Sequence, residues 1–301
     1  MYRRSAACGE SAASSPGTAE EPEEIIMKKS INAWSVPESV DFGTMFRQVA
    51  QAGFDGIELN VDREGASAHC LSRTTTAEEL AAVRALSAKY GLPVVSISSS
   101  LYGGLLGSDD EQSRGEGQNL LRSQLRCAKA LGADGILVVP GGVGEDCTMA
   151  RAYENAFRSL HEMKEEIEAS GIFVGLENVW NGFFLSPFDL RDFIDSLGSK
   201  SIGAYFDVGN VAISSSPEHW IEILGGRIGK VHVKDFARTH GRNTGWFVNL
   251  LEGSIDWKAV MAALRGAGYD GCLTAELDIM RQSPEYLYEI TSSALDVILA
   301  K

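Results

Sequence analysis

Glu177, Asp207, His232 and Glu276 are the residues of this chain whose types and placement could do chemistry together. Each closes a short apolar run of the kind that forms a β-strand: Phe173-Val-Gly-Leu-Glu177, Ile202-Gly-Ala-Tyr-Phe-Asp207, Ile228-Gly-Lys-Val-His232 and Cys272-Leu-Thr-Ala-Glu276. They stand 30, 25 and 44 residues apart, and each interval has room for one helix and its loops. Parallel strands that end on the same side of a barrel would bring the four together. Three carboxylates and an imidazole at one point repel strongly unless a cation lies between them. An oxygen-rich set with one nitrogen suits Mn²⁺, Mg²⁺ or Co²⁺ better than structural Zn²⁺.

The elements that must position these residues read as an alternation. Strands are expected near 30–34, 56–60, 94–98, 135–139, 173–177, 202–207, 228–233 and 272–276. Helices are expected near 41–52, 76–90, 115–131, 151–170, 186–196, 217–224, 256–267 and 284–300. The second shows the helical period in Leu80, Val83, Leu86 and Tyr90. Gln51-Ala-Gly-Phe-Asp-Gly-Ile, Leu131-Gly-Ala-Asp-Gly-Ile and Gly266-Ala-Gly-Tyr-Asp-Gly-Cys each give a glycine C-cap, a short joint and the next strand. Their recurrence marks a repeated βα unit, so the expected fold is α/β: a single-domain (β/α)8 barrel over residues 27–301. Catalytic groups of such barrels sit at the carboxyl ends of the strands. A doubly wound open sheet is the alternative, but no Gly-rich dinucleotide loop follows the first strand.

Composition narrows the function. At 301 residues, with 44% apolar and 23% charged residues, the chain is an ordinary globular one. No apolar run approaches the roughly 20 residues that span a bilayer, so no membrane partner is expected. A net charge of −14 argues against a nucleic-acid surface, which needs a basic stripe. Cys8, Cys70, Cys127, Cys147 and Cys272 contain no C-x-x-C pair, which suggests free thiols and a cytoplasmic protein. Residues 1–26, rich in Ala, Ser, Glu and Pro, are expected to be a disordered or non-native extension. Met27-Lys-Lys-Ser leads straight into the first strand, so Met27 is a candidate natural start; a cleaved or appended leader is the competing view.

Four segments carry a resemblance: Leu176-Glu-Asn178, Phe206-Asp-Val-Gly-Asn210, Val231-His-Val-Lys-Asp235 and Ala275-Glu276. Together they resemble the xylose-isomerase-like barrel superfamily, and within it the sugar-phosphate isomerase/epimerase group that includes ketose 3-epimerases and L-ribulose- and L-xylulose-5-phosphate 3-epimerases. The resemblance implies that Glu177, Asp207, His232 and Glu276 bind one divalent metal, Mn²⁺ first, with Mg²⁺, Co²⁺ or Zn²⁺ as the other candidates. It also implies that Glu177 and Glu276 move protons. Arg238, six residues past the metal histidine, takes the place of an arginine that contacts substrate in tagatose 3-epimerase-like members. Asn210 stands where those members carry a histidine, and is expected on the substrate side. The Asp-x-Gly-Asn and His-Val-Lys-Asp forms are closer to the phosphate-sugar branch.

The chemistry explains the residue types. Epimerising a ketose at C3 removes a proton beside a carbonyl and returns one to the other face through a cis-ene-diolate. A divalent metal stabilises that charge, and two carboxylates on opposite faces alternate as base and acid. Glu177 and Glu276 are the pair at opposite ends of the strand set. Glu58 and Asn60 share a direction at the end of the second strand. For Glu58, lining the pocket and forming a buried salt bridge are both open. Lys234 meets either an anionic substrate group or a neighbouring acid. Trp34, Trp180, Phe183 and Phe184 either wall off a sugar site or pack the core. Arg238, His240, Arg242 and Trp246 fall in a long loop that is either a lid or merely solvated. Gly103-Gly104 and Gly141-Gly142-Val-Gly144 lack the Lys-Ser/Thr of a P-loop and read as flexible turns.

The leading expectation is therefore a metal-dependent ketose or ketose-phosphate epimerase or isomerase. A lyase acting on a keto-cyclitol or 3-oxo-glycoside would use the same site. Phosphodiester hydrolysis by a multi-zinc cluster lacks the histidines, since only His232 of the five sits at a strand end. A non-catalytic sugar-binding protein is the remaining class. The expected partners are a small sugar or sugar phosphate and further copies of the chain, as a dimer or tetramer.

Overall fold

Most of the helices begin where the sequence supplies a side-chain cap. Asp41, Thr76, Asp110, Thr148, Ser186 and Asp256 each accept the backbone N–H three residues on, and Thr76 and Ser186 form full capping boxes. Gly91, Gly132, Gly171 and Gly198 end helices in the left-handed conformation. The computed structural model describes residues 26–143, 147–239 and 243–301. The expectations for residues 1–25, Gly144, His240 and Arg242 lie outside the described residues.

Eight parallel strands close into a barrel. They are β1 (Lys28–Asn32), β2 (Gly56–Asn60), β3 (Val94–Ser98), β4 (Gly135–Val138), β5 (Phe173–Glu177), β6 (Ile202–Asp207), β7 (Ile228–Val233) and β10 (Cys272–Ala275). Pairing of β1 with both β2 and β10 completes the ring. Around it run α1 (Phe42–Gln51), α2 (Ala77–Tyr90), α3 (Glu111–Leu131), α4 (Met149–Glu162), α5 (Lys164–Ser170), α6 (Pro187–Leu197), α7 (Val208–Ala212), α8 (Pro217–Leu224), α9 (Trp257–Gly266) and α10 (Pro284–Leu299). No described helix is long and apolar enough to cross a membrane.

Three elements differ from expectation. The first strand ends two residues early, because Asn32 accepts the Trp34 N–H at 2.7 Å and starts a 3₁₀ turn. The helix expected over 151–170 breaks at Met163, whose N–H bonds the Leu160 carbonyl three residues back and tightens the turn. The expected loop after the seventh barrel strand contains an antiparallel pair, β8 (Asp235–Arg238) and β9 (Gly245–Val248). With only four residues a strand, this pair left no periodic signal.

The apolar core lies between barrel and helices. The barrel's interior is polar. Along β2, β6 and β7 the alternation turns Glu58, Tyr205 and His232 inward, and hydrogen bonds among them cross the barrel. Both Glu58 and Tyr205 follow a register irregularity in their strands, a device that re-aims side chains near functional sites. Gly175 makes the space: a Cβ there would lie 2.7 Å from the Tyr205 Cβ.

Candidate metal centre

The carboxyl ends of β5, β6, β7 and β10 bring Glu177, Asp207, His232 and Glu276 together, one ligand atom of each within 4.8 Å of the others. Asp207 and His232 are fully buried, Glu177 is 7% exposed, and only the Glu276 side chain, 23% exposed, opens to solvent. His232 Nδ1 lies 3.6 Å from Glu177, 3.6 Å from Glu276 and 4.0 Å from Asp207, too far for hydrogen bonds. Asp207 Oδ2 and His232 Nδ1 are buried without a hydrogen-bond partner. Such orphans are costly unless something else satisfies them.

Each group is aimed by its neighbours. Asn178 clips the Asp207 peptide from both sides, accepting its N–H and donating to its carbonyl, both at 2.9 Å. Asp207 Oδ1 caps α7 by accepting the Asn210 N–H at 2.8 Å, which leaves Oδ2 for the cluster. His232 Nε2 faces Glu58 Oε1 at 2.6 Å. Burial alone would raise the Glu58 carboxyl, but the His232 charge together with hydrogen bonds from His232, Ser96 and Tyr205 outweighs burial and holds it near 2. An ionised Glu58 can only accept, so Nε2 carries the proton and Nδ1 presents its lone pair to the cluster whenever the imidazole is neutral. Asn32, Ser96 and Tyr205 donate to the same carboxylate.

The electrostatics call for positive charge. Burial, and then the nearby carboxylates, push Glu177 up to about 7 despite the pull of His232. Burial also works against Glu276, yet the Lys234 ammonium holds it below its ordinary value. His232 is raised well above 6.5 because Glu58 and the cluster carboxylates overcome its burial. Lys234 Nζ sits 2.7 Å from Glu276 Oε2, and 2.9 Å from Asp207 Oδ2 as an ion pair without a directed hydrogen bond. Three acidic groups thus gather a proton and an ammonium around orphaned donors. A hard divalent cation fits this donor set, with Nδ1, Oδ2 and the two glutamates as its ligands.

The remaining expected contacts divide. Trp34 and Lys234 line a cavity of about 750 Å³ above the cluster, alongside Glu276 and Phe247. Glu58 does not: it is fully buried and pairs with His232 Nε2 at 2.6 Å. Asn210 is part of the frame, its side chain donating to the Asn178 carbonyl at 3.0 Å. Arg238 turns away from the cluster, donating to the carbonyls of Ala212 at 2.7 Å and Ser215 at 2.6 Å, because β8 carries it to the C-terminal end of α7. Trp180 stacks on Phe247 at 4.8 Å, whereas Phe183 and Phe184 pack in the core.

Sequence reasoning assigned no role to Asn178, Tyr205, Ser96 or Asn32. Asn178 had a signal in the Leu176-Glu-Asn178 segment, and Tyr205 and Ser96 only in the inward parity they share with Asp207 and Ser98. The motif residues Gly209 and Asp235 also find their reasons here. A Cβ at Gly209 would overlap Lys234. Asp235 holds the hairpin by accepting the Phe236 N–H at 2.8 Å, the Leu251 N–H at 3.0 Å and the Trp257 indole at 2.9 Å.

Residues 46–294 match the family described as the xylose isomerase-like TIM barrel. Over 187 residues the chain is 28% identical to an uncharacterised protein of Methanocaldococcus jannaschii; the match covers 60% of this chain and 63% of the relative, less than two thirds of its length. Among solved structures, a D-tagatose 3-epimerase-like protein aligns with TM-score 0.72 and 22% identity over 90% of this chain and 98% of its own. L-ribulose 3-epimerase aligns with TM-score 0.74 and 19% identity, covering 91% and 95%. The apo form of 3-keto-D-glucoside 4-epimerase from E. coli aligns with TM-score 0.72 and 19% identity, covering 91% and 100%. At such identities the likeness is one of fold.

Proposed function

This chain belongs to the xylose isomerase-like TIM barrel family, and on that premise we propose that it is a divalent-metal-dependent sugar epimerase or isomerase that enolises a ketose or related keto-sugar. The observation that carries the reading is the convergence of Asp207 Oδ2 and the unpartnered His232 Nδ1 with two glutamates at the carboxyl end of the barrel, one ligand atom of each within 4.8 Å of the others. A bound Mn²⁺ ion, or another hard divalent cation, would supply charge stabilisation for an oxygen of the substrate.

The chain's own residues do the rest. Glu177 and Glu276 end the two outermost strands of the ligand set, so a sugar seated between them meets a carboxylate on each side. Their environments differ in the metal-free protein: burial raises Glu177, whereas the Lys234 ammonium outdoes burial at Glu276 and lowers it. Trp34 and Lys234 bound the cavity, the indole as an apolar wall for the sugar and the ammonium as the partner of Asp207 and Glu276. Asn178, Glu58 and Tyr205 hold Asp207 and His232 in place. The free thiols of Cys70, Cys127, Cys147 and Cys272 support a reducing cytoplasmic location, and assembly into a dimer or tetramer belongs to the same reading.

The test is deuterium exchange from D₂O into a panel of ketoses and ketose phosphates with Mn²⁺ present. Exchange at the carbon beside the carbonyl is expected with at least one sugar, and it registers enolisation whichever product follows. No exchange from a metal-loaded, folded protein across the panel would overturn the reading.

A further inference from the structure

The cleft above the cluster is divided. The compartment of about 750 Å³ reaches Lys234 and Glu276. A second, of about 500 Å³, is lined by Asn60, Asp62, Arg63, Ser67 and Ser100. Trp34 and Ile279 line both and form the wall between them. The Arg281–Glu38 ion pair, 2.9 Å long, crosses the same boundary, with Arg281 on the first compartment and Glu38 on the second. Each compartment exceeds the roughly 300 Å³ at which small-molecule pockets begin.

The second compartment suits hydroxyl groups. Asp62 is pinned by the Trp34 indole N–H at 2.8 Å and the Ser100 hydroxyl at 3.0 Å, and each carboxylate oxygen keeps a lone pair to accept from a ligand. Asn60 donates its amide N–H groups to Asn32 Oδ1 at 3.2 Å and Ser98 Oγ at 2.6 Å, which fixes its carbonyl as the free acceptor. The Trp34 ring adds an apolar face. Phosphate finds little here. Among the lysines and arginines lining the two compartments, Lys234 is held by Asp207 and Glu276, and Arg281 by Glu38. Arg63 is the one without a carboxylate partner among the described residues, and it is outnumbered by Glu38, Asp62 and Asp278.

We propose that the second compartment is a subsite for a second, uncharged sugar ring, so that the substrate class is a glycoside or ketose-terminated disaccharide rather than a phosphorylated monosaccharide. The inference rests on the enolisation reading above. Binding and chemistry are therefore measured separately on the full chain. Titration calorimetry uses isomaltulose, fructose and fructose 6-phosphate as probes, and deuterium exchange into each is followed with Mn²⁺ present.

Isomaltulose is expected to bind at least about tenfold more tightly than fructose, and fructose 6-phosphate no more tightly than fructose. Ala66→Trp, which fills the second compartment from its exposed rim, should erase the isomaltulose preference and leave fructose binding unchanged. Ser67→Phe serves the same purpose should Ala66→Trp fail to fold, as read by circular dichroism. Equal binding of isomaltulose and fructose, an unaltered preference in the filled variants, or preference for fructose 6-phosphate each overturns the subsite, even where fructose exchanges its proton and the enolisation reading stands. A preference for isomaltulose that the filled variants erase, without exchange into any sugar, supports the subsite and overturns the enolisation reading instead.

Discussion

The two halves of the barrel mouth are built on opposite terms. From β5 round to β10 the strands end in Glu177, Asp207, His232 and Glu276, and there Asp207 Oδ2 and His232 Nδ1 have no hydrogen-bond partner. From β1 to β3 the inward polar side chains at the mouth are Asn32, Glu58, Asn60, Ser96 and Ser98, all hydrogen bonded to one another or to their neighbours, and only the uncharged Ser30, one layer deeper, lacks a partner among the described residues. Converging charged groups with unpartnered atoms can take a cation, whereas a satisfied polar network makes a rigid frame. Glu58 joins the halves, since its carboxylate belongs to the satisfied network and its bond to His232 reaches into the unsatisfied one. The lesson is a division of labour: one half supplies charge, the other fixes the direction in which that charge points.

The comparison breaks most visibly at the glutamates. Gln keeps the shape and an oxygen ligand but cannot take a proton, so Glu177→Gln and Glu276→Gln should hold metal and lose about 10²–10⁴-fold in turnover. More than a tenth of wild-type turnover in a fully metal-loaded variant would make that glutamate a ligand only.

Next in size is the joint between the halves. Glu58→Ala leaves a buried imidazole without its partner and should weaken Mn²⁺ binding by about 10–100-fold. Stability should also fall, by roughly 3–5 kcal/mol if the buried pair is as tightly coupled as its geometry indicates. Calorimetry with Mn²⁺ and urea unfolding read the two effects; unchanged metal affinity would reduce Glu58 to a packing residue.

A smaller effect separates the halves by pH. Without a cation, Glu177 is raised from 4.5 to about 7, so the folded chain keeps a proton that the unfolded chain releases across that range. Stability of the metal-free protein on this account falls as pH rises from about 4.5 to 7. Metal binding requires deprotonated ligands and is favoured in the same direction. The rise in melting temperature on adding Mn²⁺ should therefore be larger at pH 8 than at pH 5.5, and a larger rise at pH 5.5 would contradict it.

The smallest effect is expected at Arg238, which belongs to neither half. Losing its two bonds to carbonyls should cost roughly 1–2 kcal/mol and a few degrees in Tm with KM unchanged. An increase in KM at constant Tm would restore the substrate contact that the family resemblance implies.

What could be read in the sequence follows the same division. The four cluster residues were legible because each lies at the carboxyl end of its own strand, and strand-end position and parity are local properties. The frame was not. Glu58 meets His232 across 174 residues and Tyr205 across 147, and nothing near either residue records such a partner. Arg238 misled because a spacing of six residues from His232 does not say which way a side chain turns once β8 and β9 pair. Lys234 was legible as a choice between acid and substrate, and the Asp207 and Glu276 carboxylates decide it for the free protein.

The central claim is that one divalent cation sits among Glu177, Asp207, His232 and Glu276. Anomalous diffraction at the manganese edge from crystals grown with Mn²⁺ tests it directly. The account predicts a single strong peak at the carboxyl end of the barrel, about 2.0–2.3 Å from His232 Nδ1 and from an oxygen of each of the three carboxylates. A peak elsewhere, or none while Lys234 keeps its place between Asp207 and Glu276, would contradict it.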